Sequence, residues 1–257
     1  MADNAHLDIL AIAAHPDDTE ITCGGLLIKL ADKGRATGIL DLTRGEMGTR
    51  GSISDRTSEA ARAAEVLGLA YRENARMPDS AVEYSQANKL KIAQFIRDTR
   101  PEAVILPHWV QRHPDHLACS RLGYDACFLA GLTKANLDGE PHRPRKIIYA
   151  SYFRNTDYSF LVDISDEFER KVEAVAAYVT QFGPSDEVMD AVRNGFVLHD
   201  RLQGEKDIFH PGVGIFDLMQ TRARQLGQLV GVKYAEAYSV KEYFLVDDPQ
   251  KLPVSSI

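Results

Sequence analysis

Two short clusters, His15-Pro16-Asp17-Asp18 and His113-Pro114-Asp115-His116, hold the groups of this chain best suited to bind a metal or move a proton. Catalytic zinc commonly takes three ligands from His, Asp and Glu and keeps one position open for water. His15 and Asp18, at i and i+3, can turn toward one ion at a strand-to-helix corner, and His116 can supply a third ligand. Asp17 and His113 are then left for other work. A metal lowers the pKa of a bound water, and a carboxylate beside it, here Asp17, can accept the proton. An imidazole on the far side, here His113, can be protonated, stabilise the oxyanion of a tetrahedral intermediate and donate to a leaving amine. Asp115 can orient and charge His113, or bond a ligating histidine from behind. Either cluster alone also suits an Asx turn or an acidic helix N-terminus. Two of them, each at the end of a buried strand, are harder to explain structurally and point to a metal site.

The elements that must position these residues follow from hydrophobic periodicity. The apolar run at 7–14 predicts a strand that stops at His15, and 103–107 predicts a second that leads to His113. Between them the pattern predicts a helix from Thr19 to about Lys33 and a strand at 36–43. A helix capped by Ser54 and closed by Gly68 follows, then a short strand near Leu69–Arg72 and a helix over 86–99. Arg44 to Gly51 is polar and glycine-rich, and reads as a loop at a strand's carboxyl end, a usual place for substrate contacts. Beyond the second cluster the expectations are a helix at 115–131, strands at 146–152 and 159–164, and a helix capped by Ser165 that runs through Phe168 to Tyr178. Helices at about 186–202 and 214–230 and a late strand at Tyr243–Val246 complete the chain. Alternating strands and helices imply an α/β, Rossmann-like, mostly parallel sheet with helices on both faces. We expect a single domain, with a core of about residues 1–151 and a C-terminal α+β extension of about 152–257. In the common doubly wound order the first and fourth strands are neighbours, which would bring the two clusters together.

Composition narrows the function classes. With 44% hydrophobic and 26% charged residues over 257 positions, the chain has the make-up of a globular protein with a sizeable core. A net charge of -7 gives no electrostatic reason to expect nucleic acid or an anionic membrane. No run approaches the length needed to span a bilayer, and the polar N-terminus has no signal-peptide core, so a cytoplasmic location is expected. Cys23, Cys119 and Cys127 contain no CxxC pair. Cys119 lies close to His116, but a free cysteine on an amphipathic helix is more readily a small core residue than a ligand. His6, His108, His142, His199 and His210 are read as surface or core, and Trp109 as packing near the pocket rim. A nucleotide-binding module would need a Gly-x-Gly-x-x-Gly turn after the first strand, where this chain places acid instead. A metal-binding regulator without catalysis would have no use for the spare acid–base groups.

The sequence resembles the zinc-dependent deacetylases of the LmbE or PIG-L type. The resemblance rests on Ala14-His15-Pro16-Asp17-Asp18 after a strand and on the later His113-Pro114-Asp115-His116. The Asp41–Gly51 loop, the stretch Gly231 to Glu236 and Gln181-Phe182 resemble the bacillithiol-biosynthesis branch of that family. The resemblance implies hydrolysis of an N-acetyl group on a glucosaminyl conjugate, N-acetylglucosaminyl malate in that branch, or on another amino sugar. It implies His15, Asp18 and His116 as zinc ligands, Asp17 as general base and His113 as acid or oxyanion partner. Arg56 matches a family arginine that holds substrate, and Arg44, Glu46 and Arg50 are further candidates from the loop. Assembly into a homo-oligomer is expected by the same analogy. The ligand types alone would also accept iron or another divalent ion.

Overall fold

The computed structural model describes residues 6–151, 156–183, 214–243, 245–248 and 250. Its elements are β1 (Ile9–Ala13), α1 (Asp18–Asp32), β2 (Thr37–Thr43), α2 (Ile53–Leu67), β3 (Tyr71–Met77), α3 (Gln86–Thr99), β4 (Ala103–Pro107) and α4 (Pro114–Ala130). There follow β5 (Lys146–Ala150), β6 (Phe160–Asp163), α5 (Phe168–Ala176), α6 (Val179–Phe182), α7 (Ile215–Val230) and β7 (Ala235–Ser239). The seven strands form one sheet in the order β3-β2-β1-β4-β5-β7-β6. The first five are parallel, and β7 runs antiparallel between β5 and β6. The expected α/β architecture is therefore present, with the polarity reversal confined to the C-terminal strand pair.

Alternation along the strands builds a core on each face of the sheet. Leu10, Ile12, Leu40, Leu42, Val104 and Leu106 pack toward α3 and α4. Ala11, Ile39, Ile105 and Ala150 pack the other way, with Leu27, Leu67 and Ala174 of α1, α2 and α5. The switch point lies between β1 and β4, which pair from Ile9↔Ala103 to Ala11↔Ile105. Their carboxyl ends deliver the two histidine clusters to one place.

Four expectations differ from the structure. The α2 cap is Ser52 rather than Ser54, because Ser52 forms a reciprocal capping box with Asp55. The third strand is Tyr71–Met77, longer and later than the stretch near Leu69–Arg72, since this edge strand pairs through its backbone despite a polar side-chain pattern. The last strand is Ala235–Ser239 instead of Tyr243–Val246, where Tyr243 and Leu245 are fully or almost fully exposed. Glu236 hides that strand from a hydrophobicity reading. It is buried because its carboxylate accepts the backbone N–H of Gly25 and Leu26, each at 2.9 Å, and pairs with Lys171 Nζ at 2.6 Å. These bonds serve α1 at Cys23, where its backbone leaves helical geometry. Ser165 caps no helix; its hydroxyl donates to Asp163 Oδ1, and α5 starts at Phe168. The helix expected at 186–202 lies outside the described residues, and no described helix is long and apolar enough to cross a membrane.

α4, which carries His116, lies tight on β4 because Gly123 has no side chain. A Cβ there would sit 2.3 Å from Leu106 Cδ2. We expect Gly123→Val to lower stability by about 1–3 kcal/mol through overpacking. Urea denaturation monitored by circular dichroism checks this, and a midpoint equal to wild type would refute the close-packing account.

Candidate functional site

The site begins at two strand-to-helix corners. After β1 the chain turns through His15-Pro16-Asp17, and α1 starts at Asp18. Asp17 has φ 107, a backbone state that non-glycine residues avoid at a cost of about 1–3 kcal/mol. After β4, His113 precedes α4 with Pro114 in the first turn, where a missing N–H does no harm. The His113 Nδ1 accepts from Asp115 N at 3.2 Å. Since a backbone N–H can only donate, the proton of a neutral His113 ring lies on Nε2.

His15, Asp18 and His116 converge. Asp18 Oδ2 is 3.1 Å from His116 Nε2 and 3.3 Å from His15 Nδ1, and the two imidazole nitrogens are 3.3 Å apart. Nitrogen and oxygen ligands about 2.0–2.1 Å from a tetrahedral zinc stand about 3.3–3.4 Å from one another. The donor set therefore fits that ion in type and in spacing. His15, His113 and Asp115 form a second cluster of ligating atoms. Its members are already engaged: His113 Nδ1 by Asp115 N, and Asp115 by Ser80 N at 2.7 Å and Val82 N at 3.3 Å.

The electrostatics favour positive charge at the convergence point. Burial alone would lower the His15 pKa, but hydrogen bonds with Asp115, Asp18 and Asp79 raise it to about 12. Burial opposes the Asp18 carboxylate too, yet His116 and His15 hold it well below its ordinary range. The far nitrogen of His15, Nε2, lies 3.1 Å from Asp79 Oδ1 and 3.4 Å from Asp115 Oδ2. This is the arrangement in which a carboxylate orients a metal-binding imidazole from behind. Of the two histidine contacts expected for Asp115, its carboxylate makes the one outside its own cluster. Its carboxylate serves His15, and only its backbone N–H meets the His113 ring. Burial lowers the His113 pKa, and the neighbouring His15 and His116 lower it further.

Asp17 lies beside this cluster without belonging to it. Burial pushes its pKa up to about 7, against the attraction of Arg56 and with the repulsion of Asp18. Arg56 is buried; its Nη2 donates to Asp17 Oδ2 at 3.1 Å and to Pro16 O. Its guanidinium carbon stands 5.3 Å over the Tyr178 ring. Below it, Arg72 holds Asp41 at 2.9 Å and Glu20 at 2.6 Å, and Tyr178 also donates to Glu20.

The loop from Arg44 to Gly51 folds over Arg56. Gly45, at φ +66, leaves so little room that a Cβ would come within 2.9 Å of Arg56 Nη2. Arg44 Nε and Arg56 Nε and Nη1 are buried without a hydrogen-bond partner among the described residues. Glu46 is spent within the loop region, accepting from Arg44 N at 3.1 Å and Asp79 N at 3.3 Å. Arg50 is exposed, and its carbonyl accepts from Gln181 Nε2. Cys119 fills the core, its Sγ 3.6 Å from Ile12 O, so no metal role arises for it.

Asp79, Arg72 and Tyr178 were not anticipated. A strand ending at Met77 would have flagged Asp79, since ligand-binding residues gather at the carboxyl ends of such strands. Ending the strand at Arg72 concealed that signal.

Residues 10–127 match the family model described as PIG-L, GlcNAc-PI de-N-acetylase. The diacetylchitobiose deacetylase of Thermococcus kodakarensis is 34% identical over 193 residues, covering 69% of this chain and 71% of that protein. The 1D-myo-inositol 2-acetamido-2-deoxy-alpha-D-glucopyranoside deacetylase of Thermomonospora curvata is 26% identical over 222 residues, covering 72% and 73%. Among solved structures, the conserved protein TT1542 from Thermus thermophilus superposes with a TM-score of 0.78 at 37% identity, over 93% of this chain and 97% of that one.

The metal-binding capacity of the cluster can be tested directly. Zinc titration of metal-free protein, followed by calorimetry, is expected to show one site per chain that His116→Ala removes and Cys119→Ser leaves intact. Unchanged stoichiometry in His116→Ala would exclude it as a ligand.

Proposed function

Since the chain belongs to the PIG-L family of N-deacetylases acting on N-acetylated sugars, we propose that it hydrolyses the N-acetyl group of N-acetylglucosaminyl malate, a reaction of bacillithiol biosynthesis. In this reading His15, Asp18 and His116 hold a zinc ion, and their mutual spacing is the observation that carries it. When bound, such an ion acidifies water and polarises a carbonyl oxygen.

The chain's own residues divide the remaining work. Asp17, buried and backed by Arg56, takes a proton from the attacking water as its oxygen bonds to the acetyl carbon. His113, with its proton fixed on Nε2 by the bond at Nδ1, donates to the developing oxyanion. As the C–N bond breaks, the proton held by Asp17 passes to the departing amine, and acetate is the co-product. The structure thus favours a neutral, donating His113 over a protonated one.

Support for the malate conjugate comes from the two loop-side arginines. Arg44 and Arg56 keep buried guanidinium nitrogens without partners among the described residues, and a substrate carboxylate would satisfy them. A second reading is favoured by the relatives, named as deacetylases of diacetylchitobiose and of an inositol 2-acetamido-2-deoxyglucopyranoside. In that case Arg56 serves Asp17 alone.

Acetate release from N-acetylglucosaminyl malate, diacetylchitobiose and free N-acetylglucosamine, with a chelated control, separates the two. We expect chelator-sensitive turnover that prefers the malate conjugate, with Arg56→Ala reducing that preference. Equal or better turnover of diacetylchitobiose would replace the substrate and keep the chemistry. Asp17→Asn is expected to retain zinc and lose turnover by roughly 10²–10⁴-fold. Full activity in that variant would remove Asp17 from the base role.

A further inference from the structure

Asp79 stands at the junction of two parts of the site. It follows β3, at the same end of the sheet as the two histidine corners. Its side chain is 6% exposed, and its two oxygens do different things. Oδ1 faces His15 Nε2 at 3.1 Å, while Oδ2 accepts the backbone N–H of Met47 at 2.8 Å. Met47 belongs to the loop that covers Arg56, and Asp79 N reaches Glu46 Oε1 of the same loop at 3.3 Å. One carboxylate therefore joins the back of a proposed metal ligand to the segment nearest the substrate arginines.

Asp115 gives the contrast. It shares His15 Nε2 at 3.4 Å, but its oxygens are otherwise taken by Ser80 N and Val82 N of the β3–α3 connection, with no tie to the loop. His15 Nε2 has a single proton to share between a carboxylate fixed to that connection and one tied to the loop. Left-handed φ values at Arg76 (53) and Ser80 (61) flank Asp79, and strained states of this kind last only where surrounding contacts hold them.

We propose that Asp79 is a positioning residue that couples the seating of the 44–51 loop to the orientation of His15. This rests on the metal-site reading above. With the loop seated, Met47 N–H holds Asp79 so that Oδ1 receives the His15 Nε2 proton and Nδ1 points at the convergence point. With the loop lifted, Asp79 loses that support and His15 relies on Asp115. Linkage makes the effect mutual, so metal binding must tighten the loop by the factor with which the loop tightens metal binding.

Asparagine is the discriminating substitution. Its carbonyl oxygen can accept from His15 or from Met47, but its NH2 then faces the other donor, so one of the two bonds is lost whichever way the amide turns. We expect Asp79→Asn to weaken zinc binding about 10–100-fold, read by competition with a chromophoric chelator. In the wild type, zinc is expected to slow amide hydrogen exchange across 45–50, and in Asp79→Asn that slowing should be lost. Wild-type exchange that ignores zinc would overturn the coupling without recourse to any variant. So would an Asp79→Asn zinc affinity within twofold of wild type. If His116→Ala bound zinc as tightly as wild type, the metal-site reading and the coupling would fall together, whereas normal loss in His116→Ala with an unaffected Asp79→Asn would overturn the coupling alone.

Discussion

Parallel pairing of β1 with β4 is the constraint on which the site depends. Ile9–Ala11 opposite Ala103–Ile105 sets the two strand ends side by side, and the turns that follow have only the space above the sheet to fill. His15 and Asp18 come from one turn and His116 from the other. A slip of the pairing by one residue would invert the side-chain alternation and drive the buried faces of both strands into the wrong core. The hydrophobic cores on the two faces thus hold the register, and the register holds the ligating atoms within 3.1–3.3 Å of one another. The bond between Cys119 Sγ and Ile12 O and the seating of Gly123 on Leu106 tie α4 to the same strands.

Convergence of this kind creates an electrostatic problem. Asp17, Asp18, Asp79 and Asp115 crowd around His15 largely out of water, where unpaired charge is costly. The chain answers in two tiers. Near the corners, Arg56 compensates Asp17 while the imidazoles compensate Asp18. Below, Arg72 is committed to Asp41 and Glu20, which keeps those carboxylates from drawing on Arg56. Carboxylates gathered around two imidazoles leave a point whose potential suits a cation, and the donor spacing there suits one the size of zinc.

Much of this was legible in the sequence because the determinants are local. The helix over Gln86–Thr99 and the strand over Ala103–Pro107 coincide with their apolar patterns, stopped by Pro101 and by the turn before His113. The convergence of His15, Asp18 and His116 was legible too, since few residue types ligate metal and both motifs follow buried strands. What stayed hidden depends on tertiary partners. β3 is an edge strand whose polar residues are accommodated by neighbours, as Arg72 is by Asp41 and Glu20. β7 carries Glu236, buried only because Lys171 and the α1 backbone await it. No periodicity in one segment can announce a partner in another. Asp115 illustrates the same limit, since the sequence allowed its carboxylate either His113 or a histidine of the other cluster, and only the fold selects His15.

The groups proposed for chemistry and those proposed for selection lie on different kinds of structure. The groups proposed to bind metal and move protons lie at strand-to-helix corners, where cores on both sides resist displacement. The groups proposed to select substrate lie on or under the 44–51 loop, which is fastened by side chains at separate points: Glu46 and Asp79 at one end, Gln181 at the other. A loop held by a few bonds can change in sequence without disturbing the sheet. The separation is incomplete at one residue. Asp79 fastens the loop at Met47 and also faces His15 Nε2, so the proposed coupling joins the part assigned to metal with the part assigned to substrate.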